Sequence, residues 1–576
     1  MPRPLTLLPP SRLWQRWGGL VRLLLGALAL VLGLWGFVRQ EPPHTAVAWF
    51  NTAFRTLQLL TLQFPRELTD VPWQLNIARF LLPTLAVLET VRLLTGSVLR
   101  PVRLALLGVF SRPVLVSVGP GGAGQGGAGM EVLRQLGAAR QARAALNAGL
   151  PADAAATLAD SGVPSLELDP AEPAAWQRLH ADKARLVVIA HGDDVANLNA
   201  AATVAPLLRA STRRPAPGLL VLLERTGLAD AVEAALDRHR AGDPVRYRRL
   251  SVMDETVRRL FLDPPPVLLR PGRPAHVAIL GYGAGGPSVL RHALTLGQDA
   301  PGAPPRITVF ADPLATPGEA LLGPGAVPTF LADLRVVPWD EAGALPPDVP
   351  GDVTQWCVCR PDEPGLETAL TLLHRGARVA VHQARRNAFV PALADGPDGR
   401  LRVFGGVLPE GAVRRMLAEA DDALPRQMHE TYLEDLRRQG AVTGSTEDWD
   451  ALTETLRDSN RAAAAHIPVK LAALGCTVAE GSGPPFAFTD AELDVLAPLE
   501  HRRWCADRVV HGWRHAPVTD RAARLHRDLV PFEELDDESR QKDHDALRAI
   551  PALLACAGLH VVPLVSACGG VNAAPE

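Results

Sequence analysis

His276-Val-Ala-Ile-Leu280 running into Gly281-Tyr-Gly283-Ala-Gly-Gly286 is the stretch that decides how most of this chain is read. A short, mainly apolar run closed by glycines reads as a buried strand. The glycines have G-x-G-x-x-G spacing, and a helix from about Pro287 to Leu296 follows. Proline suits the first turn of that helix, because its missing N–H has no partner there in any case. Such glycines permit a tight strand-to-helix turn and let backbone N–H groups come close to a pyrophosphate. The next strand, Arg306–Ala311, ends at Asp312, the acid that would hold ribose hydroxyls, placed further along than the usual spacing. Further strands are predicted at Leu334–Val337, Thr354–Val358, Arg378–His382 and Leu401–Phe404. Residues 273–412 therefore form one α/β domain with a parallel sheet.

The same grammar appears upstream, over residues 112–270. Pro113–Val118 leads into Gly119-Pro-Gly121-Gly-Ala-Gly124. Strands follow at Ala142–Leu146, Val163–Leu168, Arg185–Ala190 and Leu219–Glu224, and His191-Gly-Asp193-Asp194 opens a helix carrying Asn197. The second strand ends at Asn147 rather than at an acid. Gly119, Gly121, Gly124 and Asp193 are the candidate nucleotide-binding residues here; Gly281, Gly283, Gly286 and Asp312 are those of the second domain. For each turn two readings stay open, a phosphate cradle or a glycine turn that only packs helix on strand. The first copy reads as the more degenerate, and the second as the better binding candidate.

On the glycine loop, Asp169 and Gly192-Asp193-Asp194-x-x-Asn197, the first domain resembles the TrkA-N family, the regulatory nucleotide-binding domains of bacterial potassium transporters and channels. The second also looks like a TrkA-N or Rossmann-type domain. The resemblance implies NAD(H) or another adenine nucleotide as ligand, and modules that pair, so a homo-oligomer is expected.

Residues 420–565 hold an internal repeat. His429-Glu-Thr-Tyr432 corresponds to His501-Arg-Arg-Trp504 at an offset of 72 residues. Trp449-Asp-Ala-Leu452 corresponds to Phe532-Glu-Glu-Leu535, and Ile467-Pro468 to Ile550-Pro551, both at an offset of 83. The units are 420–482 and 485–565, each predicted as helix, extended loop, helix. On His501-x-x-Trp504, Arg508, His511-Gly512-Trp513, Asp520 and Leu529–Leu535 with Arg540–Asp543, the second unit resembles the RyR repeat, and the first looks like a divergent copy. Aromatic faces beside arginine suit a nucleotide-type ligand, so Trp504, Arg508, Trp513, Phe532 and Glu533 are the candidate RyR pocket. The alternative is an aromatic core with a solvated charged rim. Trp504 is expected in the core and Trp513 in the pocket.

Leu23–Val38 is uncharged and, extended back to Trp17, about long enough to span a bilayer. A cleaved signal peptide is the alternative, but Arg39 follows directly and a second apolar stretch comes later. That stretch, about 79–99, contains Glu89 and Arg92 on one helix face. Arginines flank the outer ends of both, which predicts a transmembrane region over 1–111, helices at about 17–38 and 79–99, and both termini in the cytoplasm of an inner or plasma membrane. Thr45–Phe64 reads as an interfacial or re-entrant helix. Leu57–Phe64 lacks the Gly-Tyr-Gly of a potassium filter, so ion conduction has no chemical support in the sequence.

The fold expectation is thus a membrane-anchored α/β protein: two N-terminal transmembrane helices, two Rossmann-like parallel-sheet domains and C-terminal helical RyR repeats. The formal net charge of −3 gives no electrostatic case for nucleic acid. Six cysteines form no C-x-x-C pair and no metal-ligand cluster stands out, so no metal is expected. No catalytic constellation is found, so the chain is expected not to be an enzyme. The leading function is a membrane ligand sensor that regulates ion transport, potassium by the resemblance, with the bilayer and a small nucleotide as partners. The alternatives are a membrane effector of a stress or anti-phage response sensing a nucleotide signal, and an NAD(P)-dependent oxidoreductase. The last would need a positioned acid or base, for which His191 and His382 near strand ends are weak candidates.

Overall fold

The computed structural model describes residues 10–61, 71–97, 112–120, 127–139, 141–191, 193–212, 217–224, 245–269, 273–283, 285–312, 325–340, 345–346, 350–360, 362–383, 399–406, 408–417, 420–439 and 447–564. The chain divides into two compact units, Met1–Leu106 and Leu107–Glu576.

The first unit holds helices Pro10–Gln40, Ala46–Gln58 and Trp73–Ser97. Thr45 caps the second by accepting from the Ala48 N–H at 3.2 Å, which fixes its start. Ala29, Phe37, Leu59, Leu75, Ala78 and Leu82 form the unit's small core. Among the described residues one helix is long and apolar enough to cross a membrane, over Leu23–Gln40. The second expected span is corrected. Trp73–Ser97 is a helix of 25 residues with Pro83 inside it, and among the described residues it is not a second such span.

The second unit begins with six parallel strands: β1 (Val114–Val118), β2 (Arg143–Asn147), β3 (Ser165–Glu167), β4 (Leu186–Ala190), β5 (Gly218–Leu222) and β6 (Arg246–Leu250). Their order is β3-β2-β1-β4-β5-β6, that of a doubly wound dinucleotide-binding fold. Sequence patterning does not mark β6, because Arg246-Tyr-Arg-Arg-Leu250 carries three arginines on a sheet edge. The second module repeats the plan with β7 (His276–Leu280), β8 (Arg306–Ala311), β9 (Asp333–Pro338), β10 (Gln355–Val358), β11 (Val379–His382) and β12 (Leu401–Phe404). The order β12-β11-β10-β7-β8-β9 is the same arrangement. Both modules are Rossmann-like.

The two modules exchange their last helices. Helix Val252–Leu262 follows β6, yet its Val257, Leu260 and Phe261 sit in the core of the second module. Helix Ala412–Leu417 follows β12, yet its Ala412 and Val413 sit in the core of the first. The exchange couples the modules through hydrophobic burial, at about 25 cal/mol per Å² of apolar surface removed from water.

The C-terminal region is a tandem repeat in structure as in sequence. His429 Nε2 lies 2.8 Å from the Glu447 carbonyl oxygen, and His501 Nε2 lies 2.9 Å from that of Val530. Single-turn helices Trp449–Ala451 and Phe532–Glu534 are equivalent. The closing strands β13 (Cys476–Glu480) and β14 (Leu559–Pro563) pair antiparallel with Val478 opposite Val561. Those two valines are equivalent residues of the two copies, so the pairing is centred on a local pseudo-two-fold axis. Helix Asp490–Val510 of the second copy starts at a capping box, Thr489 with Glu492, and buries Cys505, Ala506 and Val509 in the second module's core.

Candidate functional site

In the second module the glycine turn stands where the strand order reverses, between the C-terminal ends of β7 and β10. Open α/β sheets bind ligands at such a switch point. Gly281 has φ +81°, a left-handed conformation that favours glycine. The remaining glycines separate by environment. A Cβ on Gly285 would meet the Phe404 ring at 2.8 Å, and one on Gly286 the Tyr282 ring at 3.0 Å. These two are glycines for packing. Gly283 is exposed, and a Cβ there would meet nothing nearer than the Cys359 carbonyl oxygen at 3.4 Å. Asp312 follows β8, the strand beside β7, half-buried. The structure thus brings Gly281, Gly283, Gly286 and Asp312 to one end of one sheet.

In the first module, Gly121 and Gly124 lie outside the described residues. At Gly119 a Cβ would strike the His191 carbonyl, so this glycine lets the ends of β1 and β4 close on each other. Asp193 accepts from the Ala196 N–H at 2.9 Å and caps helix Asp194–Arg209. Asp194 accepts from the Glu224 N–H at 2.9 Å. Asn197 accepts from the His191 N–H and donates to the Leu222 carbonyl, both at 3.0 Å. The motif that resembled a nucleotide site has these local duties. Asn147 stands at the end of the second strand with its amide oxygen buried and, among the described residues, without a hydrogen-bond partner.

In the RyR unit the expected pocket divides. The Arg508 guanidinium lies 5.6 Å from the Trp504 ring and 5.5 Å from the Trp513 ring, a cation–π sandwich. His526 closes the same box, 4.9 Å from Trp504 and 6.1 Å from Trp513. Both tryptophans are half-buried against the second module's core, so the expected contrast between a core Trp504 and a pocket Trp513 is not seen. Phe532 is half-buried on the other side of His501, against His544 and under Arg540, and packs against the core of the repeats. Glu533 is exposed, and its carbonyl accepts from Arg540 at 2.7 Å.

His501 lies beside Phe532 and Trp504. Its Nδ1 is 3.3 Å from Asp543 and its Nε2 is 3.3 Å from the Cys505 sulfur. Burial would lower the imidazole pKa, but the bonds to Asp543 and Cys505 outweigh it and push it up to about 10. Cys, His and Asp in that order suggest a nucleophile with its base. Cys505 is fully buried, however, and burial pushes its thiol up. A protonated thiol shielded from substrate cannot attack, so the three residues pin helix Asp490–Val510 to Asp543 and the Val530 carbonyl.

Besides the shared core, polar contacts tie this unit to the second module. Arg502 donates to the Gln298 side chain at 3.2 Å and to the carbonyls of Ala300 at 2.5 Å and Pro301 at 3.2 Å. His466 of the first copy reaches the Gln298 carbonyl at 2.9 Å. The segment so held directly follows helix Gly286–Thr295, the helix that begins at the glycine turn. Among the described residues no group of His, Cys, Asp and Glu side chains is arranged to hold a metal ion.

The fold and the turn define a paired Rossmann-like protein with a C-terminal tandem helical unit. Residues 489–563 match the family model of the RyR domain, in agreement with the sequence resemblance. Among solved structures, "GsuK bound to ADP" is 14% identical, covers 71% of this chain and 98% of that one, and gives a TM-score of 0.35. "GsuK channel bound to NAD" is 11% identical over 84% of this chain and 89% of that one, also at 0.35. At such scores the likeness is distant, and the fold assignment stands on strand order alone.

Proposed function

We propose that this protein is a membrane-anchored nucleotide sensor whose second Rossmann-like module binds NAD(H) or another adenine nucleotide. One observation carries the reading. The glycine whose role in this motif is to admit a pyrophosphate, Gly283, is exposed and open at the switch point, while its neighbours Gly285 and Gly286 are filled by packing. Asp312 is positioned for ribose hydroxyls. The ligand is read as bound rather than transformed. Occupancy at the turn acts on helix Gly286–Thr295, and the segment 298–301 that follows it is held by Arg502 and His466, so the effect reaches the RyR repeats. The helix over Leu23–Gln40 anchors the chain, and control of ion flux is the output. A ligand shifts such an equilibrium only by its differential affinity for the two states.

A thermal-shift screen of the whole chain in detergent against NAD(H), NADP(H), ATP, ADP and cyclic nucleotides tests this. At least one should raise the midpoint in the parent, and Gly283→Val should abolish that rise. Stabilisation unchanged in Gly283→Val would place the ligand elsewhere, and no stabilisation by any of them would end the reading.

A further inference from the structure

A cleft of about 1140 Å³ runs along the outer face of helix Gly286–Thr295, walled by the exchanged helices and the RyR repeats. It is large for a small-molecule site. Two adjacent carboxylates on helix Val252–Leu262 form one wall, and guanidinium groups crowd them. Asp254 accepts from Arg291 at 2.8 Å and from Arg249 at 3.4 Å. Glu255 accepts from Arg258 at 2.8 Å and from Arg415 at 3.3 Å, with Arg259 at 3.9 Å. The five arginines come from β6, both exchanged helices and helix Gly286–Thr295, and all five line the cleft. The third acid at this end, Glu224, is turned onto the start of helix Val252–Leu262, accepting from Ser251 at 2.7 Å and from the Val252 N–H at 2.9 Å. The Arg259 pKa is lowered, chiefly by burial and next by Arg415.

We infer that this cleft is a second ligand site, for a chain of linked phosphates, bridging the two Rossmann-like modules. Guanidinium forks match phosphate oxygens bidentately, and the cleft's lining holds eight arginines against six carboxylates (Glu224, Asp254, Glu255, Glu454, Asp458 and Asp507), an excess that suits a ligand carrying more than one negative charge. A ligand there would touch both exchanged helices at once and relieve the repulsion among the arginines. The site opens beside Gly283 but does not require a nucleotide in the crevice, so it stands apart from the function proposed above.

The probe is sodium tripolyphosphate, titrated calorimetrically into the full chain in detergent at constant ionic strength. One equivalent should bind per chain. The double variant Arg258→Gln/Arg415→Gln should weaken binding by at least about tenfold, since a hydrogen bond to a charged group is worth about one decade or more. Gly283→Val should leave it within about twofold, whatever that variant does to NAD(H) or ADP. ATP titrated into Gly283→Val, where the crevice is blocked, separates the sources: tighter binding than tripolyphosphate assigns a nucleoside polyphosphate, and equal binding assigns the bare chain. A readout without variants is protection of Arg258 and Arg415 from phenylglyoxal by tripolyphosphate, read by mass spectrometry. Absence of saturable binding, or binding lost in Gly283→Val but kept in the double variant, overturns the site. So does a lack of protection at both arginines.

Discussion

Glu500→Gln should be among the most damaging single changes in the chain, although it removes one charge and almost no volume. The Glu500 carboxylate receives Lys470 at 2.5 Å and Arg503 at 2.7 Å. Their side chains are 8%, 3% and 5% exposed in the order Glu500, Lys470, Arg503, so water screens none of them. Burial alone would raise the glutamate's pKa, but the two cations hold it far below the ordinary carboxylate range. Glutamine leaves both cations in place without their counter-charge. Breaking a buried ion pair from one side costs roughly 3–5 kcal/mol, against a total stability of roughly 5–15 kcal/mol for a domain. Native-state hydrogen exchange reads this locally: amides of helix Asp490–Val510 should exchange roughly 10²–10⁴ times faster in the variant. The deficit should shrink at alkaline pH. The folded pKa of Lys470 is lowered, chiefly by burial, so between it and about 10.4 the unfolded state holds the extra proton and stability rises with pH. Adding Lys470→Met to Glu500→Gln should recover part of the loss at pH 7. A change of less than about tenfold in exchange, or a deficit independent of pH, would refute the claim that this cluster is dry and mutually dependent.

Three further outcomes follow from the packing. Phe261→Ala should cost about 3–5 kcal/mol and loosen the second module's sheet, because Phe261 is 1% exposed in that module's core; exchange loosened instead in β1–β6 would contradict the helix exchange. Asp299 is 1% exposed, its Oδ2 is unpartnered among the described residues, and burial pushes its carboxyl up to about 7. Its folded pKa exceeds its unfolded one, so stability is highest below about 4 and falls as pH rises through 7; Asp299→Asn should flatten that decline in a thermal midpoint series from pH 5 to 8. Trp504→Ala and Trp513→Ala should each cost about 2–3 kcal/mol, less than a fully buried aromatic, and by similar amounts since both are half-buried around Arg508. A loss above 4 kcal/mol confined to Trp504 would restore it to the core.

Both sheets were legible because their inner strands are short apolar runs ended by glycine or acid, a local pattern. β6 was not, because a polar edge strand lacks that pattern. The tandem repeat was legible to the level of matched pairs, since His429 and His501 occupy equivalent positions and make equivalent bonds. The helix exchange was not, because chain order assigns Val252–Leu262 to the strand before it and nothing local says which core it enters. For the same reason the arginine cleft was invisible: Asp254-Glu255 ahead of Arg258-Arg259 reads as a solvated helix face with pairs three or four residues apart. The glycine motifs were visible as motifs, but only geometry separates Gly283, which is open, from Gly119, Gly285 and Gly286, which are closed by packing.

The most direct test of the nucleotide reading is hydrogen exchange by mass spectrometry on the full chain, with and without saturating NADH or ADP. Protection is predicted over peptides spanning 281–295 and 306–312, extending through the segment 298–301 that Arg502 and His466 hold, and absent in Gly283→Val. Protection confined to 504–526, or none anywhere with a ligand shown to bind, would contradict the account.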